Sequence, residues 1–434
     1  MAENDIYNSE GKYNSIKDNI DQYAVEPSKR IIRSRNTRNA KYWIKDKGNI
    51  KYFKQLFTKF EARDTSFIRR IRLFRTFLIV NHVLDKDLAE VTREEIDTLM
   101  AFAHSVNKSS KSKRDFALDT KFLWRQLFPE LDQKGRVDDT ITPYPVRHLT
   151  GKQDKSKEKL RGDKFSIEEF ERLIQSFSDD PRMQCLLTVS LESLGRPQEL
   201  LGRKIKDVEL SENYAKIYIT EHGKEGVGFL RIIDSYFYLT QWLSKHPNRK
   251  DGNAWLFCNT GRVNRYKQMT PFGANKLIRG RCSKLGIDKP ITMYSLKRNG
   301  VTIMRLQGKS DVEIQHTARW TSTKQLKTYD MSNQEESFKL ELVRRGKIKA
   351  EGKFKEYAPT SKKCAFCGQD NGIAEGFCSV CNRPLDKEVL ERELAEKEIK
   401  EKELSDLKEQ MAQMVAKVNN LIDVDKAILL KKAK

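Results

Sequence analysis

Acidic residues are too few to balance the basic ones in this chain of 434 residues. Asp and Glu number 61 against 83 Lys and Arg, a formal charge of +22. That deficit excludes an acidic polyelectrolyte and makes a polyanion, nucleic acid first, the expected partner. Long apolar runs are missing too: no stretch of about eighteen consecutive apolar residues occurs, and the opening "MAENDIYNSEGKYNSIKDNI" is polar throughout. Neither a membrane span nor a secretion signal is therefore expected, and the expected location is cytoplasmic and DNA-associated. Cysteine is scarce and unevenly placed. Of the seven, four lie in "CAFCGQDNGIAEGFCSVC", while Cys185, Cys258 and Cys282 share no pattern. A disulfide framework is excluded, and free thiols in a reducing compartment are expected.

What is present divides the chain into several parts, as its length suggests. Residues 1–42 lack apolar periodicity and read as a flexible, partly basic tail. From 43 to 131 the pattern is that of short amphipathic helices. "IRRIRLFRTFLIVNH" places Ile71, Phe74, Phe77 and Leu78 on one face, and Thr92 with Glu95 forms a capping box. The basic loop "NKSSKSKR" separates two of these helices. Residues 132–162, rich in Lys and Pro, read as a basic linker. A second domain, 163–348, opens with the Ser166–Glu169 capping box. Its "YAKIYIT" and "GFLRIID" read as strands joined by "EHGKEGVG", and the rest as helices. The four-cysteine segment occupies 360–385, and a charged amphipathic helix follows over 386–430. In that helix Leu404, Leu407, Met411, Met414, Val418 and Leu421 keep a three-four spacing. The spacing fits a coiled-coil contact with another protomer and equally a helix folded back on its own chain.

The cysteine spacing is C-x2-C, ten residues, C-x2-C, through Cys364, Cys367, Cys378 and Cys381. Each pair points two thiolates at one centre, and four thiolates complete the closed shell of a structural Zn²⁺. Such an ion holds a fold and performs no chemistry. Whether the segment meets DNA or protein is left open by the sequence.

Two further stretches carry chemistry-bearing residues. In "LESLGRPQELLGRKIKDVEL" Arg196 ends an apolar helix on a Gly-Arg-Pro turn, with Glu199 after it. An arginine so held suits bidentate phosphate binding, and equally an internal pair with Glu199. In "ARWTSTKQLKTYD" Trp320 precedes Tyr329 among hydroxyls and lysines, a surrounding too polar for a core.

These stretches resemble the tyrosine recombinases, the phage-integrase family. "SLGRPQELLGRKIKDVEL" is similar to the family's T-G-L-R-x-x-E-L-x-x-L-x-x-x-D around its first catalytic arginine. "MYSLKRNGVTIMRLQGKSDVEIQHTARWTSTKQLKTYD" is similar, without a gap, to the closing H-x-L-R-H-x-x-A-T, glycine, L-G-H-S-S and nucleophilic tyrosine. The resemblance spans roughly 43–348, and the added zinc ribbon resembles that of archaeal-type integrases. It implies a multidomain fold: an all-α SAM-like core-binding domain, a mainly α (α+β) catalytic domain, a zinc ribbon and a C-terminal helix. It also implies a site-specific DNA recombinase or integrase of a mobile element, working through a 3′-phosphotyrosine without catalytic metal or ATP. Double-stranded DNA is the implied partner, with self-association into a tetrameric synapse and no membrane. By the same resemblance Tyr329 is the nucleophile, Arg196 an oxygen clamp and Lys224 the donor to the leaving 5′-oxygen. Trp320 takes the place of the family's second histidine, and its indole N–H still donates a hydrogen bond.

Two departures follow. The ungapped register puts Tyr294 and Lys297 where the family has His-x-x-Arg, and a one-residue shift would put Ser295 and Arg298 there. Lysine brings a point charge where arginine brings a planar fork. None of the six histidines takes a family histidine position, although His222 and His316 lie nearby in sequence. A DNA-binding protein that has lost catalysis is the alternative on the same scaffold. A zinc-ribbon adaptor factor and a topoisomerase of the same chemistry are the more distant ones.

Overall fold

The computed structural model describes residues 5–30, 41–107, 109–138, 140–152, 162–219, 226–262, 264–348, 361–372 and 375–385, with 392, 395–397, 399–412 and 414–415 beyond. Two compact units result, Met1–Arg161 and Gly162–Lys434.

In the first unit, helices α1 (Ser9–Asp18), α2 (Ile50–Ala62), α3 (Phe67–Leu84), α4 (Arg93–Val106) and α5 (Ser110–Leu127) precede a hairpin of β1 (Glu130–Leu131) and β2 (Val137–Asp138). The core is aromatic. Phe53 meets Phe74 and Phe77 at ring-centroid distances of 5.6 and 4.5 Å, separations at which offset or edge contacts are favourable. α4 begins where expected: the Thr92 backbone N–H donates to Glu95 (2.9 Å) while the Glu95 N–H donates back to Thr92 Oγ1 (3.4 Å).

Two expectations change here. The N-terminal segment is not a tail over its described length, because α1 buries Tyr13 against Phe57 and Phe67, with the Arg70 guanidinium 5.0 Å from the ring centroid. Tyr13, Ile16 and Ile20 form an apolar stripe that the surrounding charges dilute below a visible period. Burial, with Glu61 beside it, pushes the Tyr13 phenol up to about 12. The basic linker likewise begins inside the unit, since Val146 and Leu149 are buried in the same core. Residues 153–161 lie outside the described residues.

The second unit begins with α6 (Ile167–Gln175), α7 (Pro181–Ser193) and the short α8 (Pro197–Leu201). A three-stranded antiparallel sheet follows in the order β3 (Val208–Leu210), β4 (Ala215–Ile219), β5 (Gly228–Ile232). Ala215, Ile217 and Ile219 alternate into the core, the period-two pattern of a half-buried strand. Then come α9 (Tyr236–Lys245), α10 (Pro271–Lys284), α11 (Met293–Leu306), α12 (Asp311–Ala318), α13 (Leu326–Tyr329) and α14 (Gln334–Arg344). α7 and α11 lie backbone to side at Gly300, where an added Cβ would stand 2.1 Å from the Leu191 carbonyl oxygen. Only glycine permits that approach.

β6 (Ser361–Lys363) and β7 (Asp370–Gly372) build the cysteine segment, and Gly372 abuts the Tyr238 ring of α9, 2.5 Å from where a Cβ would stand. The described part of the C-terminal segment is helical and exposed, Leu404, Leu407, Met411 and Met414 included. Its stripe therefore does not fold back on the chain there, and Val418 and Leu421 lie outside the described residues. Among the described residues no helix is long and apolar enough to cross a membrane.

Candidate active site

One apolar cluster gathers the chemistry-bearing residues. Leu194, Val301, Met304, Ile314, Ala318, Trp320 and Leu326 are buried together, with Tyr329 packed against them. Leu194 closes α7 in the left-handed conformation (φ 53°), and the chain then turns through Gly195 into Arg196, the N-cap of α8. Arg196 and Glu199 are both buried. The Arg196 backbone N–H donates to Glu199 Oε2 (2.8 Å), and Arg196 Nη1 stands 3.6 Å from Glu199 Oε1. The carboxylate thus orients both backbone and side chain of the arginine.

α11 supplies Tyr294 and Lys297, three residues apart and so on one face. Lys297 is fully buried, its Nζ 5.5 Å from the Trp320 ring centroid and 5.4 Å from that of Tyr329. Those two rings are 5.2 Å apart at 33°. An ammonium this close to aromatic faces gains cation–π attraction that offsets part of its desolvation. Trp320 is fixed by its own backbone: its N–H donates to the Gln315 carbonyl (2.9 Å), and its carbonyl accepts from Gln315 Nε2 (3.1 Å). Its indole Nε1–H, by contrast, is buried without a hydrogen-bond acceptor among the described residues. A buried donor left in that state is uncommon, and it marks a place where an acceptor from outside fits.

Tyr294 ties the two halves together. Burial raises its phenol above the usual range, Tyr329 and Glu199 push the same way, and Arg196 opposes them. Tyr294, Tyr329, Arg196 and Glu199 therefore sit within electrostatic reach of one another. Tyr294 thus links the Arg196–Glu199 pair to the cluster of Tyr329, Trp320 and Lys297.

Residues 163–336 match the phage integrase family. This stretch resembles that family over about two fifths of the chain. The fold is similar to that of the XerH site-specific recombinase in a post-cleavage complex with palindromic difH substrate, at 14% identity, TM-score 0.53, over 70% of this chain and 90% of that one. It is similar also to a lambda integrase dimer bound to a COC′ core site, at 15% identity, TM-score 0.51, over 65% of this chain and 96% of that one. A third is the Tn1549 transposon integrase with transposon right end DNA, at 13% identity, TM-score 0.50, over 68% of this chain and 99% of that one. No curated protein sequence matches the chain.

In α11 helical phase separates the two neighbouring cations. Adjacent helical residues point about 100° apart, so Lys297 and Arg298 cannot face the same way. Lys297 faces the two rings, while Arg298 Nη2 pairs with the buried Asp163 and lies 3.4 Å from Ser295 Oγ. Asp163 accepts from Asn299 as well, through its carbonyl oxygen (2.9 Å). Arg298 thus serves the domain's first residues and is not brought to Trp320 and Tyr329. His316 is exposed on α12. Lys224 and His222 lie outside the described residues.

Arg319 was not singled out from sequence, yet it stands in this site. It occupies the left-handed region (φ 56°) at the end of α12, immediately before Trp320. Its Nη1 is 3.5 Å from Glu199 Oε1, the oxygen that Arg196 also approaches. Nη2 donates to the Gly226 carbonyl, two residues before β5 begins. Gly228 leaves room for it, because a Cβ there would lie 3.1 Å from Arg319 Nε. The available signal was a mismatch: the family pattern carries glycine at this position.

The four cysteines gather as their spacing predicts. All four Sγ atoms lie within 4.8 Å of one another, with Cys364–Cys381 and Cys367–Cys378 each at 3.5 Å. Zn–S bonds of 2.3 Å in a tetrahedron separate sulfurs by about 3.8 Å, so the donor set fits such an ion. Backbone N–H groups turn inward as well, and those of Cys381 and Val380 draw the Cys378 thiol down to about 6.

Proposed function

We propose that the protein is a site-specific DNA recombinase, an integrase encoded by a mobile element, that cleaves and rejoins DNA through a 3′-phosphotyrosine. The observation that carries this reading is the placement of Tyr329 beside Trp320 and Lys297 in the cluster that also holds the Arg196 turn. In the forward step Tyr329 Oη forms a bond to phosphorus while the bond from phosphorus to the 5′-oxygen breaks. The phenol proton passes to solvent water, and the departing 5′-oxygen takes up a proton, a donation that the resemblance assigns to Lys224. Attack by a 5′-hydroxyl reverses the same two bonds, so rejoining needs no ATP. Charge growing on the non-bridging oxygens is met by Arg196 and by the Trp320 N–H. Lys297 adds a point charge from beneath the rings. Glu199 orients Arg196, and Tyr294 borders the same space in place of the family's histidine.

The formal charge of +22 supplies phosphate contacts along the duplex. The lambda integrase structure at TM-score 0.51 is a dimer on DNA, and this supports assembly of several protomers here. The likeness in fold to the Tn1549 transposon integrase supports a mobile-element origin. We further propose that the four-cysteine segment binds one structural Zn²⁺, which holds β6 and β7 against α9. The exposed C-terminal stripe then offers a contact to another protomer.

The test is a denaturing gel of the protein with labelled DNA from the flanks of its own gene, without added magnesium. A covalent adduct is expected from the wild type and none from Tyr329→Phe. Retained binding of those flanks with no wild-type adduct would instead favour a DNA-binding protein that has lost catalysis.

A further inference from the structure

A scissile phosphodiester in its pentacoordinate state spreads negative charge over two non-bridging oxygens. One guanidinium and an indole N–H are a thin set of donors for it. Lys297, fully buried beneath two rings, has no planar fork to offer. A second guanidinium is nevertheless present. Arg319 Nη1 and Arg196 Nη1 approach the same oxygen of Glu199, at 3.5 and 3.6 Å. The Arg319 side chain is 9% exposed. Even so, its Nε and Nη1 have no hydrogen-bond acceptor among the described residues. The same is true of the indole Nε1 of the next residue, Trp320. Consecutive residues thus hold buried donors that make no hydrogen bond among the described residues, although Arg319 Nη1 has the Glu199 carboxylate as an ion-pair partner.

The backbone supports the same conclusion. Arg319 takes a left-handed conformation that side-chain-bearing residues enter at a conformational cost and that glycine enters freely. Gly228 keeps the opposite wall open for the side chain. A long side chain at such a position carries a conformational cost that its contacts with Glu199 and Gly226 offset, and those contacts aim the guanidinium.

We propose that Arg319 is a second phosphate-contacting guanidinium of this site, donating to a non-bridging oxygen of the scissile phosphate opposite Arg196. Glu199 gathers the two guanidiniums at one carboxylate oxygen and positions them before DNA arrives. The bond from Arg319 to the Gly226 carbonyl fixes the guanidinium from the far side. This inference rests on the recombinase reading above and goes beyond it, since the family pattern assigns no role to this position.

The test uses the full-length protein in three forms, wild type, Arg319→Gly and Arg319→Lys, on duplex from the flanks of its own gene. Once the wild-type adduct maps the cut, a second duplex carries a neutral methylphosphonate there. Arg319→Gly should melt at or above the wild-type temperature, because glycine suits the backbone. It should form adduct about 100-fold more slowly on the natural phosphodiester, the effect of losing one oxyanion donor. On the methylphosphonate, where there is less charge to stabilise, that deficit should shrink at least about tenfold. Arg319→Lys should recover part of the rate. A wild-type rate in Arg319→Gly overturns the proposal, and so does an equal deficit on both duplexes, which is the mark of a merely structural residue. Absence of adduct from the wild type overturns the recombinase reading, and the proposal with it.

Discussion

Phe53, Phe74 and Phe77 fill the core of the first unit with rings, whereas the second unit closes its apolar cluster around Lys297 and beside Arg196, Glu199 and Arg319. The first arrangement follows from area alone, since each buried aromatic ring removes a large apolar surface from water. The second opposes that tendency. Desolvating an ion costs several kcal/mol, and pairing repays it only in good geometry. Stability by itself therefore gives no reason to place Lys297 under Trp320 and Tyr329. The difference is one of degree, since the first unit also buries Arg70 and Asp119, and it is sharpest at Lys297, which lies fully buried against two rings.

Lys297→Met would break that comparison most directly. It keeps the length and removes the charge, so the second unit should melt at the wild-type temperature or higher while adduct formation falls about 100-fold. Melting curves and the adduct gel on one preparation check both halves. Unchanged adduct formation would make Lys297 a packing residue and erase the contrast. In the first unit the expected effect is of the opposite kind. Phe77→Ala should cost about 3–5 kcal/mol, through lost burial and the cavity left behind. Hydrogen exchange along α3 reads this as lost protection, with the second unit unaffected. A loss below about 1 kcal/mol would mean that the rings are less tightly packed than their contacts imply.

The smallest effect sharpens the comparison at the far end of the second unit. Zinc removal by a strong chelator should release the cysteine segment from Tyr238 while residues 163–336 stay folded, their melting point lower by about 2–4 °C. Metal content of protein purified without chelator comes first, with about one zinc per chain expected. A metal-free but folded segment would end the structural-zinc reading.

Legibility followed the range of the interaction. The capping boxes at Thr92 and Ser166 were visible because a cap is written within four residues. The cysteine knuckles were visible for the same reason, each pair spanning a single turn. The chain from Trp320 to Tyr329 could be matched because α12, a tight turn and α13 carry it in one continuous run. The burial of Tyr13 was missed, since a three-residue stripe among charges shows its purpose only when Phe57 and Phe67 come to meet it.

Between Lys297 and Arg298 the ungapped register, with Leu296, Val301 and Met304 in phase, favours Lys297 without excluding Arg298. Both are cations, and only the rotation of α11 against the cluster decides which faces the rings and which turns to Asp163. Arg319 is the extreme case. Its meaning lies in Glu199 and Gly226, remote positions that one fold brings to its two ends. The sequence by itself determined the local elements, the knuckles and the spacing of the candidate site, because these are set by contacts a few residues apart. The tertiary structure alone decided which charges share the cleft, because a charge acquires its role from neighbours that the linear chain keeps far away.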